Sequence, residues 1–96
     1  MRPSEALAKH RDAAREIVHS YPLADPRIFG STARGEDTDK SDLDIIVRRN
    51  GHVSYFDLFR LEGELAALLG VKVDVRTEGE FSVRVLDRLK RDFIAL

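Results

Sequence analysis

The sequence predicts a single α+β domain in which a small mixed β-sheet is covered by helices, in the order α-β-β-α-β-α. Segments with apolar residues at helical spacing alternate with short segments that have strand patterning. Helices that lie between strands in this way give covered sheets, in a two-layer arrangement. The 96 residues match the size of one compact domain, so we assign residues 1–96 to one domain with a thin core.

The first helix is predicted from Ser4 to about Tyr21, because its apolar residues follow one stripe: Ala6, Leu7, Ala13, Ala14, Ile17 and Val18. Pro22 and Pro26 are expected to stop this helix. A short strand then follows over residues 27–29 and ends at Gly30, where a turn or short helix begins.

The second strand is predicted from Asp42 to Val47, after a polar loop over residues 35–41. Ser54 resembles a helix N-cap, and Gly70 occupies the position that ends the helix. Its apolar face is predicted to contain Leu58, Phe59, Leu61, Leu65, Ala66, Leu68 and Leu69.

The third strand is predicted over residues 71–75, where valines alternate with polar residues. A last helix should run from about Ser82 to Arg91, with one apolar side formed by Phe81, Val85, Leu86, Leu89 and Phe93.

Composition excludes several classes of protein. Sixteen basic residues nearly cancel seventeen acidic ones, so we expect no direct binding to nucleic acid. There is no cysteine for disulfides or thiolate metal sites. Since no signal peptide or membrane-length apolar run is present, we expect a cytoplasmic protein that does not enter a membrane.

Asp42 and Asp44 are the first candidate site residues. Strand alternation places both on one face, while Leu43, Ile45 and Val47 point to the core on the other. Neighbouring carboxylates repel each other, and a cation between them would relieve that repulsion. Oxygen ligands without His or Cys favour Mg²⁺ or Mn²⁺. The alternative is ordinary solvated charge, as in most surface Asp-x-Asp pairs.

Two further elements bear on this site. Gly30 and Ser31 lie where a strand meets a turn, and backbone N–H groups there can cradle phosphate oxygens. Asp74 lies on the polar face of the third strand and completes a three-carboxylate cluster if that strand neighbours the second. Glu78 and Glu80 compete with Asp74 for this role, although both lie past the strand end.

Together these residues resemble the signature of the minimal nucleotidyltransferases, a branch of the DNA polymerase beta-like nucleotidyltransferase superfamily. Gly30-Ser31, ten intervening residues and Asp42-Leu43-Asp44 match its pattern, and a later strand carries the third acid. The Ala-Arg-Gly at residues 33–35 and the Ser before Asp42 fit as well. The resemblance implies the polymerase beta-like fold over essentially the whole chain.

The resemblance also implies site roles. Gly30 and Ser31 would bind the β- and γ-phosphates of ATP, and Asp42 and Asp44 would hold two Mg²⁺ ions. Asp74 would bind the catalytic metal and help to deprotonate the attacking hydroxyl. Arg34 is an additional candidate phosphate ligand, because guanidinium pairs bidentately with phosphate oxygens; its alternative role is a solvent-exposed loop arginine.

The resemblance implies transfer of AMP to a hydroxyl of a partner protein, as in the antitoxin-like family members that pair with all-helical HEPN-domain proteins. We expect no separate substrate domain in a chain of this length, which favours an acceptor supplied by the HEPN-domain partner protein. A homo- or hetero-oligomer is a further expectation. Val83 and Ile94 lie off the last helix's apolar stripe and are expected at a contact with a partner or a second copy; the alternative is that they complete the thin core. Transfer to a small molecule, and a non-catalytic binding module, are the alternatives.

Overall fold

The computed structural model describes residues 1–96 and contains four helices and a four-stranded sheet. The elements are α1 (Pro3–His19), β1 (Leu23–Phe29), α2 (Gly30–Ala33), β2 (Leu43–Arg49), α3 (Tyr55–Leu69), β3 (Val73–Thr77), α4 (Val83–Leu89) and β4 (Ile94–Ala95). Two 3₁₀ turns lie at Glu78–Glu80 and Lys90–Asp92. No helix has both the length and the apolar character needed to cross a membrane.

The sheet is mixed, with the strand order β3-β2-β1-β4. β1 runs antiparallel to β2 and β4, whereas β2 and β3 are parallel. The parallel pair requires a crossover, which α3 provides. The predicted α+β class and mixed sheet are therefore confirmed.

The core lies between one face of the sheet and the two long helices, α1 and α3. α3 contributes Leu58, Leu61, Leu65 and Leu69, and β2 contributes Leu43, Ile45 and Val47, all of them buried. α3 begins at a capping box in which Ser54 accepts the N–H of Asp57 and Asp57 accepts the N–H of Ser54. It ends at Gly70, whose φ of 71° is left-handed.

The prediction that Phe59 joins this core was wrong, because its side chain is 72% exposed. Leu58 and Leu61 already fill the sheet-facing positions of that turn, and Phe59 points away from them. Ile46 is the opposite case. It lies on the face assigned to the carboxylates, yet it is fully buried between Arg27 of β1 and Arg76 of β3 in the sheet register.

β1 begins at Leu23, four residues before the predicted strand. Pro26 is tolerated because the pairing with β2 shifts register between Ala24 and Arg27, and Asp25 adopts a positive φ of 50° there. A proline in such a bulge removes no ladder hydrogen bond. β3 also begins later than predicted, at Val73.

The C-terminal region differs most from the prediction. α4 ends at Leu89, so Phe81 and Phe93 lie outside the helix and instead pack on Phe29, each with ring centroids 6.4 Å apart. Ile94 belongs to β4, which pairs with β1, and not to a helix. Val83 and Ile94 are exposed, as expected from the sequence.

Two glycines, one inside α3 and one directly after its last residue, should respond in opposite ways to the same substitution. Gly63→Ala places a methyl group in open space in the helix interior and should stabilise the protein by about 0.5–1 kcal/mol. Gly70→Ala also meets no neighbour, but its left-handed φ should cost about 1–2 kcal/mol. Urea unfolding of both variants checks this, and a loss of stability in Gly63→Ala would contradict it.

Candidate active site

Two carboxylates face each other across the parallel strands. The register pairs Asp44 of β2 with Asp74 of β3, and on its other side Asp44 pairs with Phe29 of β1. Since Gly30 follows Phe29 directly, the phosphate-binding candidate and both acids lie in one row across the sheet. β2 and β3 are therefore adjacent strands, as the hypothesis of a three-carboxylate cluster requires.

Asp44 has the most perturbed environment of the candidate residues. Its carboxylate is half-buried, and this burial raises the pKa above its ordinary value of 3.8. The negative charges of Asp74 and Asp42 raise the pKa further, whereas Arg76 and Arg34 lower it to a smaller extent. The site therefore has excess negative charge, which a bound cation would relieve.

The structure requires glycine at residue 30, where Asp44 lies close to the backbone. The φ of Gly30 is 73°, and a Cβ atom at this position would lie 2.5 Å from Oδ2 of Asp44. Glycine is thus required twice, by its conformation and by the close approach of the carboxylate.

Asp42 and Asp74 each have a cation of the protein as partner. Asp42 lies just before β2, not on the strand as predicted, and is 3.7 Å from Nζ of Lys72. Asp74 accepts a hydrogen bond of 3.2 Å from Nε of Arg76. With the side chains in these positions, no group of three or more His, Cys, Asp or Glu residues encloses a metal position. Carboxylate oxygens are nevertheless the type of donor that Mg²⁺ and Mn²⁺ prefer.

The remaining predicted ligands lie on and after α2. Ser31 is half-buried in its first turn. Arg34 caps its end, and its guanidinium lies 3.1 Å from Glu36 and 3.6 Å from Asp92. Arg34 would have to leave these acids to bind a phosphate.

Sequence reasoning missed Glu62. This residue lies on α3, and its carboxylate accepts the N–H of Val75 at 2.7 Å on the outer edge of β3. Burial is the main cause of a raised pKa of Glu62, and the charge of Asp74 raises that pKa as well. The only indication of Glu62 in the sequence was that a polar residue directly follows Leu61.

Glu78 and Glu80, the competitors of Asp74, have other partners in the structure. Glu78 pairs with Arg27, and Glu80 accepts the N–H of Thr77, so neither replaces Asp74 in the row of acids.

Comparison with known proteins agrees with this geometry. A family described as nucleotidyltransferase domain matches residues 7–96. A protein of Methanocaldococcus jannaschii, provisionally named a protein adenylyltransferase, is 41% identical over 75 residues, which cover 78% of this chain and 74% of that protein. The protein adenylyltransferase MntA of Thermococcus cleftensis is 30% identical over 80 residues, covering 83% and 81% of the two chains.

Solved structures share the fold. One solved structure superposes with a TM-score of 0.87 at 34% identity, over 97% of this chain and 95% of the other. It is provisionally described as a minimal nucleotidyltransferase. A complex of a tri-AMPylated HEPN toxin with an MNT antitoxin, from Shewanella oneidensis, contains a chain that superposes with a TM-score of 0.62 at 18% identity. That match covers 90% of this chain and 70% of the other, and it bears on the fold alone.

Gly30→Ala and Gly35→Ala separate backbone strain from displacement of Asp44. Both glycines have a positive φ, so each substitution should cost about 1–2 kcal/mol. Only the methyl group at residue 30 meets Asp44, whereas residue 35 has no neighbour within 4 Å. Calorimetry should therefore show that Gly30→Ala alone weakens binding of a Mg²⁺–nucleoside triphosphate complex, by about 10–100-fold. Equal affinities in the two variants would contradict this role of Gly30.

Asp44→Asn should stabilise the protein in EDTA at neutral pH. The folded protein binds the proton of Asp44 more tightly than the unfolded chain does, because its pKa is raised above the ordinary value of 3.8. The protein therefore has its full stability below pH 3.8 with respect to this group, and loses stability as the pH rises through the raised pKa. Asparagine does not ionise, so the variant should gain about 0.5–2 kcal/mol relative to the unaltered protein as the pH becomes neutral.

Urea unfolding across this pH range is the measurement, with Asp42→Asn as the control. Asp42→Asn removes an exposed pair with Lys72 and only the smaller of the two carboxylate charges that raise the pKa of Asp44, so its gain should be clearly smaller. A pH-independent loss of stability in Asp44→Asn would show that Asp44 is a structural residue.

Proposed function

This chain belongs to the nucleotidyltransferase domain family, in its minimal branch, and we propose that it transfers AMP from ATP to a hydroxyl group of a partner protein. The observation that carries the proposal is the row formed by Gly30, Asp44 and Asp74 across three adjacent elements. It joins a backbone that can approach phosphate to two acids whose mutual repulsion favours a divalent cation. The relatives named as protein adenylyltransferases support this type of acceptor.

In the proposed site, Asp42, Asp44 and Asp74 hold two Mg²⁺ ions, which would neutralise the triphosphate and the departing pyrophosphate. The backbone at Gly30 and Ser31 binds the β- and γ-phosphates, and Arg34 supplies a further phosphate contact once it releases Glu36 and Asp92. Residues 1–96 act as one domain in this proposal.

Asp74 is the general base of the proposed reaction, because it lies at the end of the row opposite to Gly30. It accepts the proton of the acceptor hydroxyl, and the hydroxyl oxygen bonds to the α-phosphorus of ATP. The bond from that phosphorus to the oxygen bridging to the β-phosphate breaks, and the electron pair leaves with pyrophosphate. The products are an adenylylated protein and pyrophosphate.

We propose a helical HEPN-domain protein as the partner, and a toxin–antitoxin pair as the setting. The support is the similarity to MntA and the fold shared with a chain of the complex between the tri-AMPylated HEPN toxin and its MNT antitoxin. We place this reaction in the cytoplasm, where ATP and Mg²⁺ are available.

Intact-mass spectrometry of a co-expressed helical partner tests the function. The partner should gain the mass of one or more adenylyl groups with ATP and Mg²⁺, and none with EDTA. Asp74→Asn should abolish the gain, since the amide accepts no proton. Glu78→Gln is the control, because Glu78 pairs with Arg27 and its loss should leave transfer intact.

If the partner stays unmodified while a small molecule receives the nucleotide, protein adenylylation is wrong and the chain is a small-molecule nucleotidyltransferase. Full activity of Asp74→Asn with loss in Glu78→Gln would show that the base is assigned to the wrong acid.

A further inference from the structure

A groove of about 260 Å³ opens beside Asp74, between the first turns of α3 and the outer edge of β3. We call it the α3–β3 groove. Its polar and aromatic lining consists of Tyr55, Phe59, Glu62, Asp74, Arg76 and Glu80. Leu58 and Val75 form the buried apolar part beneath them.

The groove lies on the far side of the acids from Gly30. Across the sheet the order is Gly30 after β1, Asp44 on β2, Asp74 on β3, and then the groove at the edge. An in-line displacement requires that the attacking oxygen and the departing pyrophosphate lie on opposite sides of the phosphorus. If the phosphates are bound at Gly30, the acceptor has to approach from the groove.

Two features limit what the groove can hold. Its volume is below the range of about 300–1,000 Å³ typical of pockets for drug-sized ligands, so it suits one side chain better than a nucleotide. The outer edge of β3 is already occupied, because Glu62 accepts the N–H of Val75 and Glu80 accepts the N–H of Thr77, each at 2.7 Å. A partner strand therefore cannot add to this edge by backbone pairing.

Charge and exposure indicate the kind of partner. The groove is lined by three acidic residues and one cation: Glu62, Asp74, Glu80 and Arg76. Its net charge stays negative even when Asp74 binds a metal, because the two glutamates still outnumber the arginine. Tyr55 and Phe59 on the rim are 66% and 72% exposed, an unusual exposure for neighbouring aromatic residues in a small domain. An acidic groove with an aromatic rim is complementary to a segment that carries lysine or arginine, since both pack on aromatic rings.

We propose that the α3–β3 groove is the acceptor-docking surface and that it receives a hydroxyl-bearing segment of the partner protein flanked by basic residues. The inference rests on the proposed function and adds to it the surface that selects the acceptor. Phe59 contacts the incoming segment, and the acidic rim attracts its basic flank. The hydroxyl then lies beside Asp74, which takes its proton.

The test uses the full chain with two synthetic peptides, each containing one tyrosine, one serine and one threonine. Lysines flank these residues in one peptide, and glutamates flank them in the other. Transfer of labelled AMP should be at least about tenfold more efficient, in kcat/KM, for the lysine peptide. Glu80→Gln, which keeps a side-chain oxygen for the Thr77 N–H, should reduce this preference.

Phe59→Ala and Phe56→Ala form the matched pair of variants. Both are exposed phenylalanines of α3, but Phe56 is 86% exposed and does not line the groove. Phe59→Ala should raise KM for the lysine peptide about tenfold and leave KM for ATP unchanged. Phe56→Ala should change neither constant.

Equal effects of the two phenylalanine substitutions, or equal use of both peptides, would overturn the inference. So would transfer to the partner protein with no transfer to either peptide, and in these three cases the proposed function stands. Absence of AMP transfer to the partner and to both peptides would overturn the inference together with the proposed function.

Discussion

Asp44 and Asp74 are held opposite one another by the parallel pairing of β2 with β3, and the other features of the site follow from that pairing. The register is set on the opposite face, where Leu43, Ile45 and Val75 are buried in the core. A slip of one residue would turn the acids inward, so burial fixes their position. Each buried side chain contributes about 1.5–3 kcal/mol. Repulsion between two partly solvated carboxylates is on the order of 1–4 kcal/mol, which the core outweighs.

The C-terminal segment limits how much of this face stays open. β4 adds to the far edge of β1, and Phe93 packs on Phe29 while Arg27 lies 5.0 Å from the centre of the Phe93 ring. Arg27 also pairs with Glu78, which ties the 3₁₀ turn after β3 to β1 across the buried Ile46. The sheet is therefore covered beyond the acids. Access remains along the row itself, from the start of α2 to the α3–β3 groove.

The sequence predicted the features that depend on local periodicity and on the motif. Strand alternation placed Asp44 and Asp74 on one face, and the capping residues of α3 were read correctly from Ser54 and Gly70. Features set by tertiary packing were not predictable. Phe59 lies one position from the buried stripe of α3. Which side of this helix faces water is decided by how the helix packs on the sheet. β4 has two residues and exists through its pairing with β1.

The acids are balanced by weak partners. Lys72 and Arg76, which flank Asp74 in sequence, pair with Asp42 and Asp74, and both cations are exposed to solvent, Lys72 more than Arg76. Exposed pairs of this kind contribute about 0–1 kcal/mol each. In the proposed site, exchanging these pairs for a divalent cation with its nucleotide would therefore cost little. Asp44 would gain most from the exchange, because a cation would offset its burial and the repulsion from the other acids. In the proposed function, the motif accounts for the nucleotide chemistry. Selection of the acceptor is then assigned to residues outside the motif, on α3 and the outer edge of β3, where an acidic and aromatic surface adjoins the proposed base.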